Sequence, residues 1–340
     1  MTIRHPSLSY GTGNNTIAYS LNGINWTGLG VSIFSTQGNG GVWNGSKVVA
    51  VGQGTNTIAY SICCINWVGL GTTIFTTSGN GIVWSGLRFV GVGSGTNTIA
   101  YSADGLSWVG IGLTIFTVSG NAVAYGTVLG VSRWVAVGSG TNTIAYSVDN
   151  LTWIGLGITL FSVSGNAVAF NGIQWVAVGQ GTNTLLYSAN GSIWTGLGVT
   201  LFTTAGYGIS WNNNLWLAGG TGGSIILSSS NGSTWTSVTT TLTTCRCLAW
   251  NGYIHLAGGT GTSDVITYSY NGTTWFSGDP ILFSGVYGLN TNIVGPFLQD
   301  SQFVLDVNGV EQTNQIEITS NYYNNGVSGA NFTIKTDTLQ

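Results

Sequence analysis

Short apolar runs of three to five residues, most with a β-branched or aromatic member, follow one another along the chain, and Gly, Asn, Ser and Thr interrupt them all. Residues 165–194 show the pattern in full. Residues 166–170 are apolar, Asn171 and Gly172 mark a turn, and 175–178 read as a strand. Residues 179–182 turn again, 183–188 give a third strand ending Leu185-Leu186-Tyr187, 189–191 turn, and 193–195 give a fourth. Four short strands joined by tight turns predict an antiparallel meander. One such sheet cannot bury both of its faces, so copies must stack.

The copies are visible. A Ser, an Asn or Asp two residues later and a Trp six residues later recur at Ser20/Trp26, Ser61/Trp67, Ser102/Trp108, Ser147/Trp153, Ser188/Trp194, Ser229/Trp235 and Ser269/Trp275. In the second copy Cys63 and Cys64 occupy the turn. Successive serines lie 41, 41, 45, 41, 41 and 40 residues apart. A four-stranded unit with a period near 41 predicts a β-propeller blade. Before the first box there is room only for strands two and three, at 7–11 and 16–20, while 286–290 sits where an innermost strand belongs after the seventh. The expectation is an all-β, seven-bladed propeller over residues 1–294, its last strand closing the first blade. After Pro296 the composition shifts. Six of the fifteen charges and both glutamates, Glu311 and Glu317, fall there, and Phe303, Leu305 and Val307 alternate before Asn308-Gly309. This predicts a small β appendage over residues 295–340.

The box has a physical task. Its Ser and Asn/Asp side chains can bond nearby amides and close the turn between strands three and four. Its Trp can bury its ring between blades while the indole N–H finds a carbonyl. Two further aromatic columns fit inter-blade core: Trp43, Trp84, Tyr125, Phe170 and Trp211, then Phe89, Trp134, Trp175 and Trp216, with His255 in the slot where other blades carry Trp or Phe.

Composition narrows the function. Charged residues make up only 4% and the net charge is −3, which gives no electrostatic reason to expect nucleic acid. No apolar run approaches the length of a membrane helix, so membrane insertion is not expected. Met1–Tyr10 lacks the apolar stretch of a secretory signal. Cys63, Cys64, Cys245 and Cys247 sit in different repeats, so free thiols rather than a metal site are expected, and no cofactor is called for.

The boxes resemble the Asp-box, or bacterial neuraminidase repeat, of sialidase-like propellers, Ser-x-Asp-x-Gly-x-Thr-Trp. Ser102-Ala103-Asp104-Gly105-Leu106-Ser107-Trp108 is the nearest match, with Asp149 to Trp153 and Asn271 to Trp275 behind it. The Ser-to-Trp distance is one residue short of that pattern, and Asn replaces Asp in most copies. The resemblance spans roughly residues 5–294 and implies a blade, with the boxes as structural elements on the face away from any active site. Sialidase chemistry would need three arginines, an acidic Asp and a Tyr–Glu pair. The repeats hold no Glu, and Arg4, Arg88, Arg133 and Arg246 do not converge in the predicted topology, so no catalytic residue is carried over. The near-identical Gly-Thr-Asn-Thr-Ile-Ala-Tyr-Ser runs are also similar to repeat proteins encoded by giant DNA viruses, which implies a virion or a host cytoplasm as the setting.

Candidate binding residues lie on the face opposite the boxes. Asn39, Asn80, Asn121, Asn166, Tyr207, Arg246 and Val286 begin the innermost strands and are expected to ring the mouth of a central channel. A second set, Asn15, Asn56, Asn97, Asn142 and Asn183, lies five residues before the box serines, with Ser224 and Asp264 completing it. Arg246, Asp264 and Asp279 break the symmetry together. The polar rings fit turn capping, or a funnel for a neutral ligand such as a glycan anchored by Arg246; amide oxygens alone make a poor calcium site. On the box face, Lys47, Arg88 and Arg133 lie near Asp104 and Asp149 and are expected to be solvated charges. The leading expectation is a non-enzymatic structural or interaction protein whose partners are other subunits of a larger assembly. The alternative is a carbohydrate-binding propeller.

Overall fold

The computed structural model describes residues 6–128, 130–278 and 282–291, together with the backbone of two further strands, Val304–Val307 and Val310–Thr313. The described residues are all β. They contain no helix long and apolar enough to cross a membrane. The chain divides into two compact units: His5–Gly295, and a second made of Met1–Arg4 and Pro296–Gln340. In the second unit, Val304–Val307 pairs antiparallel with Val310–Thr313 across the expected Asn308-Gly309 position. The strand expected around Phe332 and Ile334 lies outside the described residues.

The large unit is built from four-stranded antiparallel meanders. Ser164–Phe170, Trp175–Gln180, Leu185–Ser188 and Thr195–Gly196 form one sheet in that order. Phe202–Trp211 to Thr236–Val238 form the next, and Leu242–Trp250 to Phe276–Ser277 another. Between Gln37 and Gly155, three meanders of the same kind are joined into one sheet by single pairings, Gln53 with Ser78 and Ser94 with Ser119. The first meander is assembled from both ends of the repeat region. Gly285–Asn290 pairs with Ser7–Thr12, which pairs with Ile17–Ser20 and then Thr27–Gly28.

The second strand of each meander is buried on both faces, which is why Val48–Gln53, Phe89–Ser94 and Trp175–Gln180 read as continuous apolar runs rather than alternating ones. Each core cluster draws on two consecutive meanders. One joins Val135, Val137 and Ile144 to Phe161, Trp175, Leu186 and Trp194. The aromatic columns divide by depth. Phe89, Trp175 and Trp216 are fully buried, and each has a half-buried ring directly across the strand pair: Trp84, Phe170 and Trp211, at centroid distances of 4.4, 4.5 and 5.0 Å.

Two features differ from the sequence reading. The outermost strand of the 165–194 copy starts at Thr195, two residues later than expected, because Asn190 Oδ1 holds the amides of Ser192 and Ile193 in the box turn. A third aromatic column was not foreseen. Phe34, Phe75, Phe116 and Phe161 in the loops between meanders, and Phe202 at the start of its innermost strand, are fully buried. They explain one glycine per unit: a Cβ on Gly52, Gly93, Gly138, Gly179 or Gly220 would lie 2.6–2.8 Å from the Phe ring that packs on it.

Candidate functional site

The boxes are closed systems. Ser20, Ser102, Ser188, Ser229 and Ser269 each accept the amide three residues on at 2.8 Å. The Asn or Asp then takes the next two amides, as Asp104 Oδ1 takes those of Leu106 and Ser107 at 2.8 Å. Those amides hold the carboxyls of Asp104 and Asp149 below the usual range. Trp67, Trp108, Trp153, Trp194 and Trp235 donate Nε1 to the carbonyl three residues back, at 3.0–3.2 Å. The indoles of Trp26 and Trp275 have no partner among the described residues. In the second box, Cys63 Sγ takes the place of the carboxamide oxygen and accepts the Asn66 amide at 3.3 Å. Burial works to raise the Cys63 thiol, but the hydrogen bonds it accepts, led by that of Asn66, outweigh burial and lower it. Cys64 is buried at φ +62°, where the fourth box has Asn150 and the others have Gly, and burial pushes its thiol up. All four cysteines are free.

The second set of asparagines is also committed to the fold. Asn56 Oδ1 accepts the amide of Gly71 while its Nδ2 donates to Ile33 O, and Asn97, Asn142 and Asn183 repeat both bonds with their own neighbours. Each carboxamide lies over the glycine thirteen residues on, Gly69 in the case of Asn56, where a Cβ would collide with it. In the last two copies both partners change together, Ser224 facing the Ser237 slot and Asp264 the Ser277 slot. Asp264, only 4% exposed, accepts hydrogen bonds from the hydroxyls of Thr241, Ser263 and Ser277 on one oxygen. It belongs to this turn, not to the channel mouth.

The expected ring does assemble. A cavity of about 290 Å³ is lined by Asn39, Asn80, Asn121, Asn166, Tyr207, Arg246 and Tyr287. Each is the extra residue of a β-bulge in its innermost strand, as the register shifts at Gly38/Gly40, Gly79/Gly81, Gly120/Ala122, Gly165/Ala167, Gly206/Gly208 and Cys245/Cys247 record. A bulge residue has no ladder partner and is re-aimed out of the sheet. Val286 is a correction. It is fully buried in the core, and Tyr287 is the lining residue, skipped in the pairing of Ser7–Thr12 with Gly285–Asn290. Asp279 lies outside the described residues.

Around that cavity the asparagines bond forward from one meander to the next. Asn39 Nδ2 donates to Gly79 O, Asn80 to Gly120 O, Asn121 to Gly165 O and Asn166 to Gly206 O, at 2.8–2.9 Å. Their oxygens accept from Gln37, Ser78, Ser119 and Ser164. The remaining three positions are different. Arg246 places its guanidinium carbon 5.1 Å from the Tyr207 ring centre and 4.9 Å from that of Tyr287, and its Nε is buried without a partner among the described residues.

The cations of the box face do not meet carboxylates. Lys47 donates to Asp104 O, Arg88 to Asn150 Oδ1 and Arg133 to Asn190 O, each in the following box, and each lies over a tyrosine of its own meander: Tyr60, Tyr101 or Tyr146. His255 is 1% exposed, packs on Trp250 at 4.5 Å and meets Asn212 through Nε2 at 3.0 Å. Burial lowers its pKa to about 4, so it sits neutral in the core. Among the described residues no three His, Cys, Asp or Glu side chains come together as a metal site.

No protein-family model matches this sequence, and no curated protein matches it. Among solved structures it is similar to the computationally designed Ika8 protein, with TM-score 0.57 and 15% identity over 86% of this chain and 92% of that one. It is similar to a protein of Bacteroides fragilis assigned as a 6-phosphogluconolactonase, with TM-score 0.59 and 12% identity over 85% and 98%. It is also similar to the GH74 enzyme of Niastella koreensis, with TM-score 0.52 and 19% identity over 71% of this chain and 37% of the enzyme, so it spans little more than a third of that protein. At these identities the likeness concerns the fold alone, which is all-β and β-propeller-like.

Proposed function

We propose that the large unit is a closed seven-bladed propeller that works as a non-enzymatic interaction disc, packing against other protein subunits of an assembly. Ring closure is supported by the pairing of Gly285–Asn290 with Ser7–Thr12 and by the bond from Asn15 Nδ2 to Leu282 O. Resemblance of the boxes to Asp-boxes fits this reading, since every described box serves its own turn.

The observation that carries the proposal is the outer edge. Each outermost strand is two or three residues long, and among the described strands it pairs only with the third strand of its meander. Val68, Val109, Ile154 and Phe276 stand on these edges, 45–52% exposed. Ile62, Ile65, Leu106, Val148, Leu151 and Ile193 project from the adjoining box turns. Natural sheets guard open edges with very short strands, Lys, Pro or charge; these edges are short but carry no Lys, Pro or charge. An apolar, uncharged edge of this kind is what a protein neighbour would cover. Catalysis has little support: the described carboxylates Asp104, Asp149 and Asp264 are each bonded within turns.

Sedimentation of the full chain, alone and with the proteins it co-purifies with from its native source, tests this. The expected result is a concentration-dependent species larger than one chain, or a stoichiometric complex, that Val68→Lys with Val109→Lys and Ile154→Lys dissociates. A strict monomer at high concentration without a stoichiometric partner would overturn the proposal.

A further inference from the structure

The geometry points to a binding site for a small monocarboxylate at the mouth of the central cavity, with Arg246 as its anchor. This is independent of the assembly reading, which concerns the outer edge. It also changes the ligand class expected from sequence, because the cavity offers a cation and N–H donors rather than a neutral funnel.

The charge of the lining decides the sign of the ligand. Arg246 is the one charged residue among the seven that line the cavity. A guanidinium has five N–H donors and no acceptor, and the Nε of Arg246 is buried without a partner among the described residues. The described carboxylates are bonded elsewhere, so none of them neutralises it. Elsewhere on the lining, Asn121 and Asn166 each give one amide hydrogen to a carbonyl, Gly165 O and Gly206 O. A carboxamide has two such hydrogens, so each keeps a second. Their oxygens each accept once, from Ser119 and Ser164, and keep a second lone pair, so the carboxamides can meet either sign and the charge of Arg246 decides. The lining therefore holds one positive charge, no negative one, and carboxamides that can donate to a ligand at Asn121 and Asn166.

The shape of the anchor decides the class. Tyr207 and Tyr287 hold the guanidinium carbon at 5.1 and 4.9 Å, which favours the cation electrostatically and restrains it. A restrained planar fork pairs best with a planar carboxylate, through two parallel hydrogen bonds. Charge balance agrees. One cation compensates one negative charge, whereas a phosphate dianion would bring a second, unpaired charge into a half-buried cavity. At about 290 Å³ the cavity has room for a small hydroxy acid whose hydroxyl meets Asn121 or Asn166.

The position explains why the sequence departs from its repeat here. Six of the seven lining residues are uncharged, and four are the same residue, Asn. Replacing Asn by Arg at the sixth position gives up the forward bond made by the first four and adds a cation near the axis, where the lining residues of all the meanders converge.

The test is calorimetric titration of the full chain with lactate, with lactamide as the neutral match and inorganic phosphate as the tetrahedral anion. Saturable lactate binding is expected, weakened by added salt, with lactamide and phosphate at least tenfold weaker. Arg246→Gln should weaken lactate at least tenfold and Arg246→Lys by less, with each variant remaining folded. Equal affinity for lactate and lactamide would overturn the site, and that comparison needs no variant to fold. Phosphate bound more tightly than lactate would overturn the carboxylate class. Unchanged lactate binding in folded Arg246→Gln would remove Arg246 as the anchor.

Discussion

The mouth of the central cavity has two unlike sides. From Asn39 to Asn166 the bulge residues are one residue type, and each reaches forward to a carbonyl of the next meander. From Tyr207 to Tyr287 the same bulge positions carry two rings and a guanidinium, and the contacts run among themselves. Both sides carry the bulge at the ring position, and the innermost strands that bear Tyr207 and Arg246 add a second register shift, at Phe202/Ala205 and Leu242/Thr244. At the ring position itself the bulge is common to both, and the difference there is in the side chains. Where the repeat is kept, the position fastens neighbouring meanders through a hydrogen bond; where it is broken, that bond is replaced by contacts between a guanidinium and two rings.

The comparison can be broken most forcefully at the core both sides share. Phe161→Ala removes a fully buried ring and should cost about 3–5 kcal/mol in denaturant unfolding, since Gly179 and its neighbours are shaped around that ring. A cost below 1 kcal/mol would mean that the meanders do not depend on this column.

The altered side should also respond to acid in a way the repeated side does not. His255 fills the slot held by Phe89, Trp134, Trp175 and Trp216 elsewhere. Its pKa falls from 6.5 to about 4 on burial. Below pH 6.5 the unfolded chain takes up a proton that the folded chain refuses, so this stability is complete above pH 6.5 and is lost as pH falls toward 4. The loss should be on the order of 2 kcal/mol, and His255→Phe should abolish it. Urea unfolding at pH 7 and pH 4.5 reads the difference; an equal acid loss in both proteins would place the titrating group elsewhere.

At the box face the expected effect is smallest. Lys47→Ala removes an exposed contact to Asp104 O and should change stability by no more than about 0.5 kcal/mol. A larger loss in the same unfolding assay would make these cations structural fasteners rather than solvated charges.

Much of the architecture was legible because the box and the strand pattern each repeat at one period. Strand positions, the first and last strands of the repeat region and the polar ring could be read from spacing. The misreadings have physical causes. Val286 was taken for Tyr287 because the aromatic residue that follows the ring position by four elsewhere is Thr291 in the last copy. The buried Phe column from Phe34 to Phe202 keeps the same spacing as the boxes, so the signal was present; all but Phe202 lie in loops, where strand patterns do not look. Asn39 and Asn56 are the same residue in the same unit, and only the fold separates a bulge facing a cavity from a carboxamide laid over Gly69. Asp264 was grouped with Arg246 by charge, yet its position five residues before the box serine already placed it in the turn set.

The most direct measurement compares Asn121→Ala with Arg246→Gln in denaturant unfolding under one condition. Asn121 holds the forward bond to Gly165 O, so its loss should cost about 1–2 kcal/mol. Arg246 takes no part in that fastening; Arg246→Gln gives up two cation–π contacts but also removes a buried, unpartnered Nε, so it should cost less than Asn121→Ala, about 1 kcal/mol at most. An Arg246→Gln loss equal to or larger than that of Asn121→Ala would contradict the account, because the exceptional position would then be one more fastener of the ring.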